Sequence, residues 1–335
     1  MIVNTEFSEA VVESLHDVTP TVRELRIRPI VHKPLPHDPG AHLQVQILVA
    51  GALGQPQVQT RHYSLVGEPD GEHYRIAVKR QDDGRGGSLA MWRLAAGDRL
   101  VVSSPQNHFP LDTRAPDYLL VAGGIGITPM VMMAQRLAAR GASVRMIYSA
   151  RSAAELAFAE ELKPVLGDRL DLYAGDRGEH ADLAAAIDGL AHGGLLYTCG
   201  PVPMLDAIKL AWSRVGRPPQ DLRFETFGSG GSHAAQEFAV HVPRHGLQIT
   251  VPVGSSLLET LEHHGIEAVS DCRRGECGLC TLDVLSLDGE IDHRDVFLSD
   301  EEKHSNTRIC ACVSRVVGCI TLDTSYRPDT LPTHA

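Results

Sequence analysis

Seven cysteines occur in the 335 residues, and six of them follow residue 270. Three of these, Cys272, Cys277 and Cys280, are spaced C-x4-C-x2-C. That is the plant-type run that holds a two-iron, two-sulfur cluster and needs one distant cysteine as a fourth ligand. Cys310 and Cys312 both lie at a feasible distance. Such a cluster moves electrons singly. The competing reading, a structural zinc site, usually takes two close pairs, and only Cys277 and Cys280 are so spaced. The loop Ser270-Asp271-Cys272-Arg273-Arg274-Gly275-Glu276-Cys277-Gly278-Leu279-Cys280 is also rich in small residues. Backbone N–H groups must turn toward cluster sulfurs, and glycine permits the bend. Cys319, in Gly318-Cys319-Ile320, reads as a small buried hydrophobe in a last strand.

A second group of residues has the chemistry of a dinucleotide site. Leu120-Val121-Ala122-Gly123-Gly124-Ile125-Gly126-Ile127-Thr128-Pro129-Met130 reads as strand, glycine turn and helix start, with Thr128 as N-cap and Pro129 as the first helical residue. Glycines let backbone approach a phosphate, and a helix N-terminus offers it N–H groups. The run lacks the full G-x-G-x-x-G spacing, so a tight strand–helix connection is the plain alternative. A second turn, Cys199-Gly200-Pro201, follows another apolar strand about 75 residues on. Both turns belong at the C-terminal edge of a parallel sheet, where open α/β folds bind ligands.

A third group is weak residue by residue. Arg61-His62-Tyr63-Ser64-Leu65 ends a strand, and Gly84-Arg85-Gly86-Gly87-Ser88 is a turn. Arg61 suits any carboxylate, and the turn suits any exposed hairpin. As a set they offer an anion-binding nest, a basic residue for a phosphate and a tyrosine face for a flat ring, which a flavin mononucleotide requires.

The elements that must position these groups are legible in the hydropathy pattern. Up to about residue 110, alternating runs at 21–27, 43–49 and 74–79 predict half-buried antiparallel strands in a barrel or sandwich. From about Tyr118, short apolar runs at 119–122, 144–149 and 195–199 alternate with helical stretches such as 130–140, the pattern of an α/β domain on a parallel sheet. The Gly/Ser-rich stretch 228–236 reads as a flexible linker. Residues 237–324 show two β-like runs, a short helix near 256–264 and the cysteine loop. A tail follows residue 325.

Composition narrows the function classes. Apolar content of 43% supplies packed cores, and no stretch approaches the ~18 apolar residues of a membrane span. The first residues lack a signal-peptide pattern, and an odd cysteine count fits a reducing cytoplasm better than a disulfide framework. A net charge of −11 excludes a nucleic-acid footprint. From Glu237 onward there are 16 acidic and 8 basic residues, so about −8 of the charge sits in the last third. Asp288, Glu290, Asp292, Asp295, Asp300, Glu301 and Glu302 read either as a solvated acidic surface or as a field steering a basic redox partner.

The order Arg-x-Tyr-Ser, Gly-Gly-Ser, Gly-Gly-Ile-Gly-Ile-Thr-Pro, Cys-Gly-Pro and then the plant-type cysteines resembles the phthalate dioxygenase reductase family over the whole chain except its last dozen residues. Val78-Lys79-Arg80 and Asp292-His293-Arg294-Asp295 strengthen the likeness. The resemblance implies a multidomain fold. An antiparallel β-barrel flavin domain would span 1–112, an α/β parallel-sheet nucleotide domain 113–228, a linker 229–236, and an α+β β-grasp ferredoxin domain 237–324. It implies FMN, NADH and a 2Fe-2S cluster as cofactors, and a terminal Rieske non-haem iron oxygenase as partner of a free monomer. It places Arg61, Gly86, Gly87 and Ser88 at the flavin phosphate, Tyr63 along the ring, Ser64 near N5, and Val78 and Lys79 beside the cofactor. Phe227 would cover the ring until nicotinamide displaces it. Gly124, Gly126, Thr128, Cys199, Gly200 and Pro201 would line the dinucleotide, with Cys199 positioning rather than attacking. Cys312, opening Cys312-Val313-Ser314-Arg315, becomes the implied fourth ligand over Cys310. FAD for FMN, and NADPH for NADH through Arg151, are the open alternatives. The competing functions are a redox-sensing interaction protein and a self-contained NADH-dependent flavin reductase.

Overall fold

The computed structural model describes residues 6–50, 55–82, 86–227, 231, 233 and 236–324. Gly84, Arg85, most of the expected linker and the 325–335 tail lie outside the described residues. The chain divides into two compact units, Met1–Glu225 and Thr226–Ala335.

In the first unit, period-2 alternation buries one side of each strand. The strands are β1 (Phe7–Thr19), β2 (Val22–Pro29), β3 (Ala41–Ala50), β4 (Pro56–Ser64), β5 (Tyr74–Lys79), β6 (Arg99–Ser103) and β7 (Gln106–Asn107), with α1 (Gly87–Trp92) between β5 and β6. They pair antiparallel in the order β4-β3-β6-β1-β2-β5, with β7 on β3. A bridge from Leu65 to Ile76 joins the two ends, closing the sheet around Leu25, Ile27, Leu43, Val45 and Ile76. Closure leaves few backbone edges unpaired.

The same unit continues into a parallel sheet of β8 (Tyr118–Gly123), β9 (Val144–Ala150), β10 (Leu170–Ala174), β11 (Leu195–Cys199) and β12 (Leu222–Glu225), in the order β10-β9-β8-β11-β12. Helices α2 (Thr128–Ala139), α3 (Ala159–Leu166), α4 (Leu183–Asp188) and α5 (Val202–Val215) intervene. Every residue of β8 and β11 is buried, as expected of central strands covered on both faces. The strand order reverses between β8 and β11.

One hydrophobic core contains Val22, Val66, Ala77 and Phe109 from the barrel side together with Leu120, Met130 and Tyr197 from the parallel sheet. That shared core makes the two sheets a single compact unit. Polar straps flank it: Arg75 pairs with Glu24 at 2.8 Å and Glu161 at 3.1 Å, Lys79 with Glu155 at 3.4 Å, and Arg136 with Glu68 at 2.7 Å.

The second unit holds β13 (Phe238–Val242), β14 (Leu247–Val251), α6 (Leu257–His263), β15 (Thr281–Asp292), α7 (Asp300–Ser305), β16 (Arg308–Cys310) and β17 (Arg315–Asp323), with sheet order β14-β13-β17-β15-β16. A capping box of Ser256 and Glu259 starts α6. Its apolar face, Leu257, Leu258 and Leu261, fills the core with Val240, Ile309 and Ile320. The sequence showed two β-like runs here, and the structure has five strands. The longest, β15, is largely exposed along its middle, so it lacks the alternation that marks a half-buried strand.

Two further expectations are corrected. Cys319 lies in β17 as read, but it is exposed, because Ile320 and Leu322 take the inward positions. The acidic stretch is not one solvated face. Asp288, Glu290, Asp300 and Glu301 are exposed, whereas Asp292 and Asp295 are 3% exposed. Among the described residues no helix is long and apolar enough to cross a membrane.

Candidate functional site

The cysteine loop is built around one sulfur. Backbone N–H groups of Arg274, Glu276 and Cys277 each donate to Cys272 Sγ at 3.4 Å. Three donors can converge because Arg273 and Gly275 adopt φ of 51° and 77°. Gly275 has a second constraint. A β-carbon there would fall 2.6 Å from Val313 Cγ2 and 2.9 Å from Asp295 Cα. Gly278, also at positive φ, lies under the Phe297 ring, which a β-carbon there would strike, standing 2.5 Å from Phe297 Cε2 and closer to Cζ and Cε1.

The thiols fall into two groups. Burial pushes the Cys272 thiol up against those three N–H donors, and Cys277 lies within hydrogen-bond reach of it. Cys280 is held well below the usual thiol range by Cys310 and Cys312, whose thiols both lie within hydrogen-bond reach of its sulfur. Gly275 N–H donates to Cys312, while Thr281 Oγ1 lies 3.6 Å from Cys310 Sγ. Among the described residues no three His, Cys, Asp or Glu side chains converge on one metal ion. Paired thiols under inward N–H groups fit a two-iron cluster, in which each iron takes its own ligands.

The two glycine turns meet at the β8/β11 reversal. Cys199 pairs with Ala122, so both strands end side by side. A β-carbon on Gly126 would lie 2.5 Å from the Cys199 carbonyl carbon and 2.9 Å from Gly200 N, and one on Gly123 would lie 2.6 Å from Pro201 Cδ. Only glycines allow the turns to approach this closely. Thr128 is not the N-cap expected. Residues Gly124–Ile127 are already wound as a 3-10 turn, so Thr128 is helical and its hydroxyl donates to the Ile125 carbonyl at 2.9 Å. Gly124 stands at φ 54° with open space at its β-position, and its carbonyl accepts from Tyr148 Oη at 3.2 Å. Cys199 is 1% exposed.

In the barrel, β4 carries Arg61, Tyr63 and Ser64, and Arg61 reaches the N-terminus of α1. A β-carbon on Gly87 would come within 3.1 Å of Arg61 Nε, so the arginine and the Gly86-Gly87-Ser88 turn are neighbours. Gly86 has φ 81°. Ser88 Oγ accepts from Gln81 N–H at 3.0 Å, and Arg61 donates to the Thr60 carbonyl at 2.9 Å and to Gln59. Burial pushes the Tyr63 phenol above its ordinary value. Ser64 Oγ is buried with no hydrogen-bond partner among the described residues. Such an orphan costs free energy unless a ligand meets it, which fits a flavin with polar ring atoms. Val78 faces the barrel core and its carbonyl takes Trp92 Nε1 at 3.0 Å, while Lys79 is occupied by Glu155. Phe227 is 42% exposed and belongs to the second unit.

Sequence reasoning missed two residues beside the cysteine loop. Glu276 accepts hydrogen bonds from Thr226 N–H and, at 2.9 Å, from Thr226 Oγ1. Asp295 is internal. The Asp292–Asp295 run had been singled out, but only as a family likeness and as part of an acidic surface.

Comparison with known proteins agrees with this geometry. Residues 240–317 match a 2Fe-2S iron-sulfur cluster binding domain, and residues 120–209 an oxidoreductase NAD-binding domain. The chain is 37% identical over 311 residues to the heme-dependent oxidative N-demethylase beta subunit of Ectopseudomonas mendocina (strain ymp), covering 92% of this chain and 95% of that one. It is 36% identical over 298 residues to the phthalate dioxygenase reductase of Burkholderia cepacia, covering 84% and 85%. A solved phthalate dioxygenase reductase, described as a modular structure for electron transfer from pyridine nucleotides to a 2Fe-2S centre, superposes with a TM-score of 0.78 at 33% identity, covering 95% of this chain and 98% of that one. The fold is therefore a flavin-domain barrel, a nucleotide sheet and a ferredoxin-type sheet, serving an oxidoreductase with NAD-binding and 2Fe-2S domains. This chain belongs to the phthalate dioxygenase reductase family.

Proposed function

We propose that the chain is the reductase component of a Rieske-type oxygenase system whose terminal enzyme acts on an aromatic acid or similar small substrate. Paired electrons from NADH must be released singly, and FMN bound in the barrel supplies that conversion. The protein contributes position. Gly124, Gly126 and Thr128, with Cys199, Gly200 and Pro201, hold the dinucleotide at the β8/β11 reversal, where strand-end crevices bind ligands. Arg61, Gly86, Gly87 and Ser88 cradle the flavin phosphate, supported by Val78 and Lys79 at the end of β5. Tyr63 flanks the ring, and Ser64 Oγ donates near the atom that receives hydride. Cys272, Cys277, Cys280 and Cys312 hold the cluster.

The observation that carries this reading is the trio of N–H groups on Cys272 Sγ, an arrangement that stabilises a thiolate bound to iron. Its test is reconstitution. Purified chain, NADH and a Rieske oxygenase with its aromatic substrate are expected to give product in proportion to NADH consumed. A preparation that turns over cytochrome c yet never supports an oxygenase contradicts it. A haem-containing partner is the second reading, favoured by the similarity to the heme-dependent demethylase subunit. Replacing the Rieske enzyme with a haem oxygenase in the same assay separates the two.

A further inference from the structure

Behind the cysteine loop lies a carboxylate that neither ligation nor nucleotide binding uses. The Asp295 side chain is 0% exposed. Its Oδ2 accepts from Leu298 N–H at 2.9 Å, its Oδ1 accepts from Ser314 Oγ at 3.1 Å, and His293 Nδ1 stands 3.6 Å from it. Burial opposes ionisation, yet the adjacent His293 ring, the Leu298 N–H bond and the Lys303 charge outweigh it and hold the pKa below the usual carboxylate value. Lys303 Nζ is fixed close by, donating to the Asp295 carbonyl at 2.8 Å.

This residue touches both halves of the cluster site. Gly275 sits directly against its Cα, and Val296 N–H donates to the Gly275 carbonyl at 3.0 Å. On the other side, Ser314 follows Cys312 by two residues and also accepts from Arg294 N–H at 3.1 Å. Asp295 is thus one hydrogen bond from the turn that carries Cys312 and packed against the loop that carries Cys272 and Cys277.

We propose that Asp295 is a positioning residue that seats the 272–280 loop against the 310–314 turn and whose buried negative charge lowers the reduction potential of the cluster. A fixed negative charge disfavours adding an electron nearby, and screening is weak away from water. The consequence is a more strongly reducing cluster, suited to driving electrons onward. The inference rests on the cluster lying in this loop, whichever of Cys310 and Cys312 is the fourth ligand.

The test is a potentiometric titration of the holoprotein, reading the cluster by EPR and the flavin by absorbance. Iron content is measured first, so that a wild-type chain without iron contradicts the cluster itself rather than the role of Asp295. Asp295→Asn is expected to shift the cluster potential positive with the flavin potential unchanged, and Asp295→Glu to restore it. Ser314→Ala keeps the charge but removes a donor that offsets it, so its cluster potential is expected to shift negative. An iron-loaded Asp295→Asn variant with the wild-type potential overturns the proposal. Should Asp295→Asn fail to hold iron, a Ser314→Ala shift that is absent or positive overturns it instead.

Discussion

Gly126 and the Cys199 carbonyl are packed so closely that a single added methyl would stand 2.5 Å from the carbonyl carbon. This contact locks the first glycine turn against the second at the point where the strand order reverses. It joins sequence positions more than 70 residues apart.

Gly126→Ala is therefore expected to force β8 and β11 apart at their ends. Overpacking of this kind costs about 1–3 kcal/mol. NADH-dependent flavin reduction should fall steeply while flavin and iron contents stay normal, as stopped-flow absorbance and metal analysis would show. Unchanged hydride transfer in a folded variant contradicts the assignment of this crevice to the dinucleotide.

Cys310 and Cys312 can be separated by serine substitution. Cys312→Ser is expected to lose the cluster and all cytochrome c reduction while NADH still reduces the flavin. Cys310→Ser, which removes a thiol facing both Thr281 Oγ1 and the Cys280 sulfur, should retain iron. Iron analysis of both variants decides the matter, and the reverse pattern makes Cys310 the ligand.

Ser64 has an unpartnered buried hydroxyl without its cofactor. An unsatisfied buried group costs about 1–3 kcal/mol. Ser64→Ala is thus expected to raise the melting temperature of the flavin-free protein. In the flavin-loaded protein it should slow NADH-driven flavin reduction roughly tenfold, about 1.4 kcal/mol in the barrier. A destabilised flavin-free variant would show that the hydroxyl is satisfied without the flavin.

A pH dependence is built into the barrel. His73 bonds Glu13 at 2.6 Å and Asp70 at 3.1 Å. Burial lowers its pKa, but the bonds to Asp70 and Glu13 outweigh it and leave the net shift upward. Its contribution is fully present below the unfolded value of about 6.5 and is lost as pH rises through the higher folded value. Asp70, although partly desolvated, is held at about 2 by backbone N–H donors from Glu72 and His73 and by the His73 ring. Its contribution is lost only as pH falls from about 3.9 toward that value. Partial exposure and salt screening limit these contributions to about 1 kcal/mol or less. Urea midpoints at low salt should decline as pH rises above about 6.5, and His73→Gln should flatten that decline. An equal decline in the variant contradicts the assignment.

The parts of the molecule visible in the sequence were those set by local chemistry. Cysteine spacing marked the cluster loop, and glycine turns after apolar strands marked the nucleotide crevice. A short helical stretch near 256–264 marked α6. What remained hidden depended on which residues fold over which. Thr128 looks like an N-cap until the preceding glycines are seen to wind into a helical turn themselves. Asp292 and Asp295 belong to an acidic stretch by composition, and only tertiary contacts with Arg294 and Ser314 reveal them as internal. β15 was missed because its exposed middle carries no alternation.

The most direct test of the central claim is anaerobic titration of the purified holoprotein with NADH, followed by visible absorbance and EPR. Bleaching of the flavin bands together with an unpaired-electron signal from a two-iron centre is the expected result. Flavin bleaching in iron-loaded protein whose cluster stays oxidised, or a preparation holding zinc at the four cysteines, would contradict it.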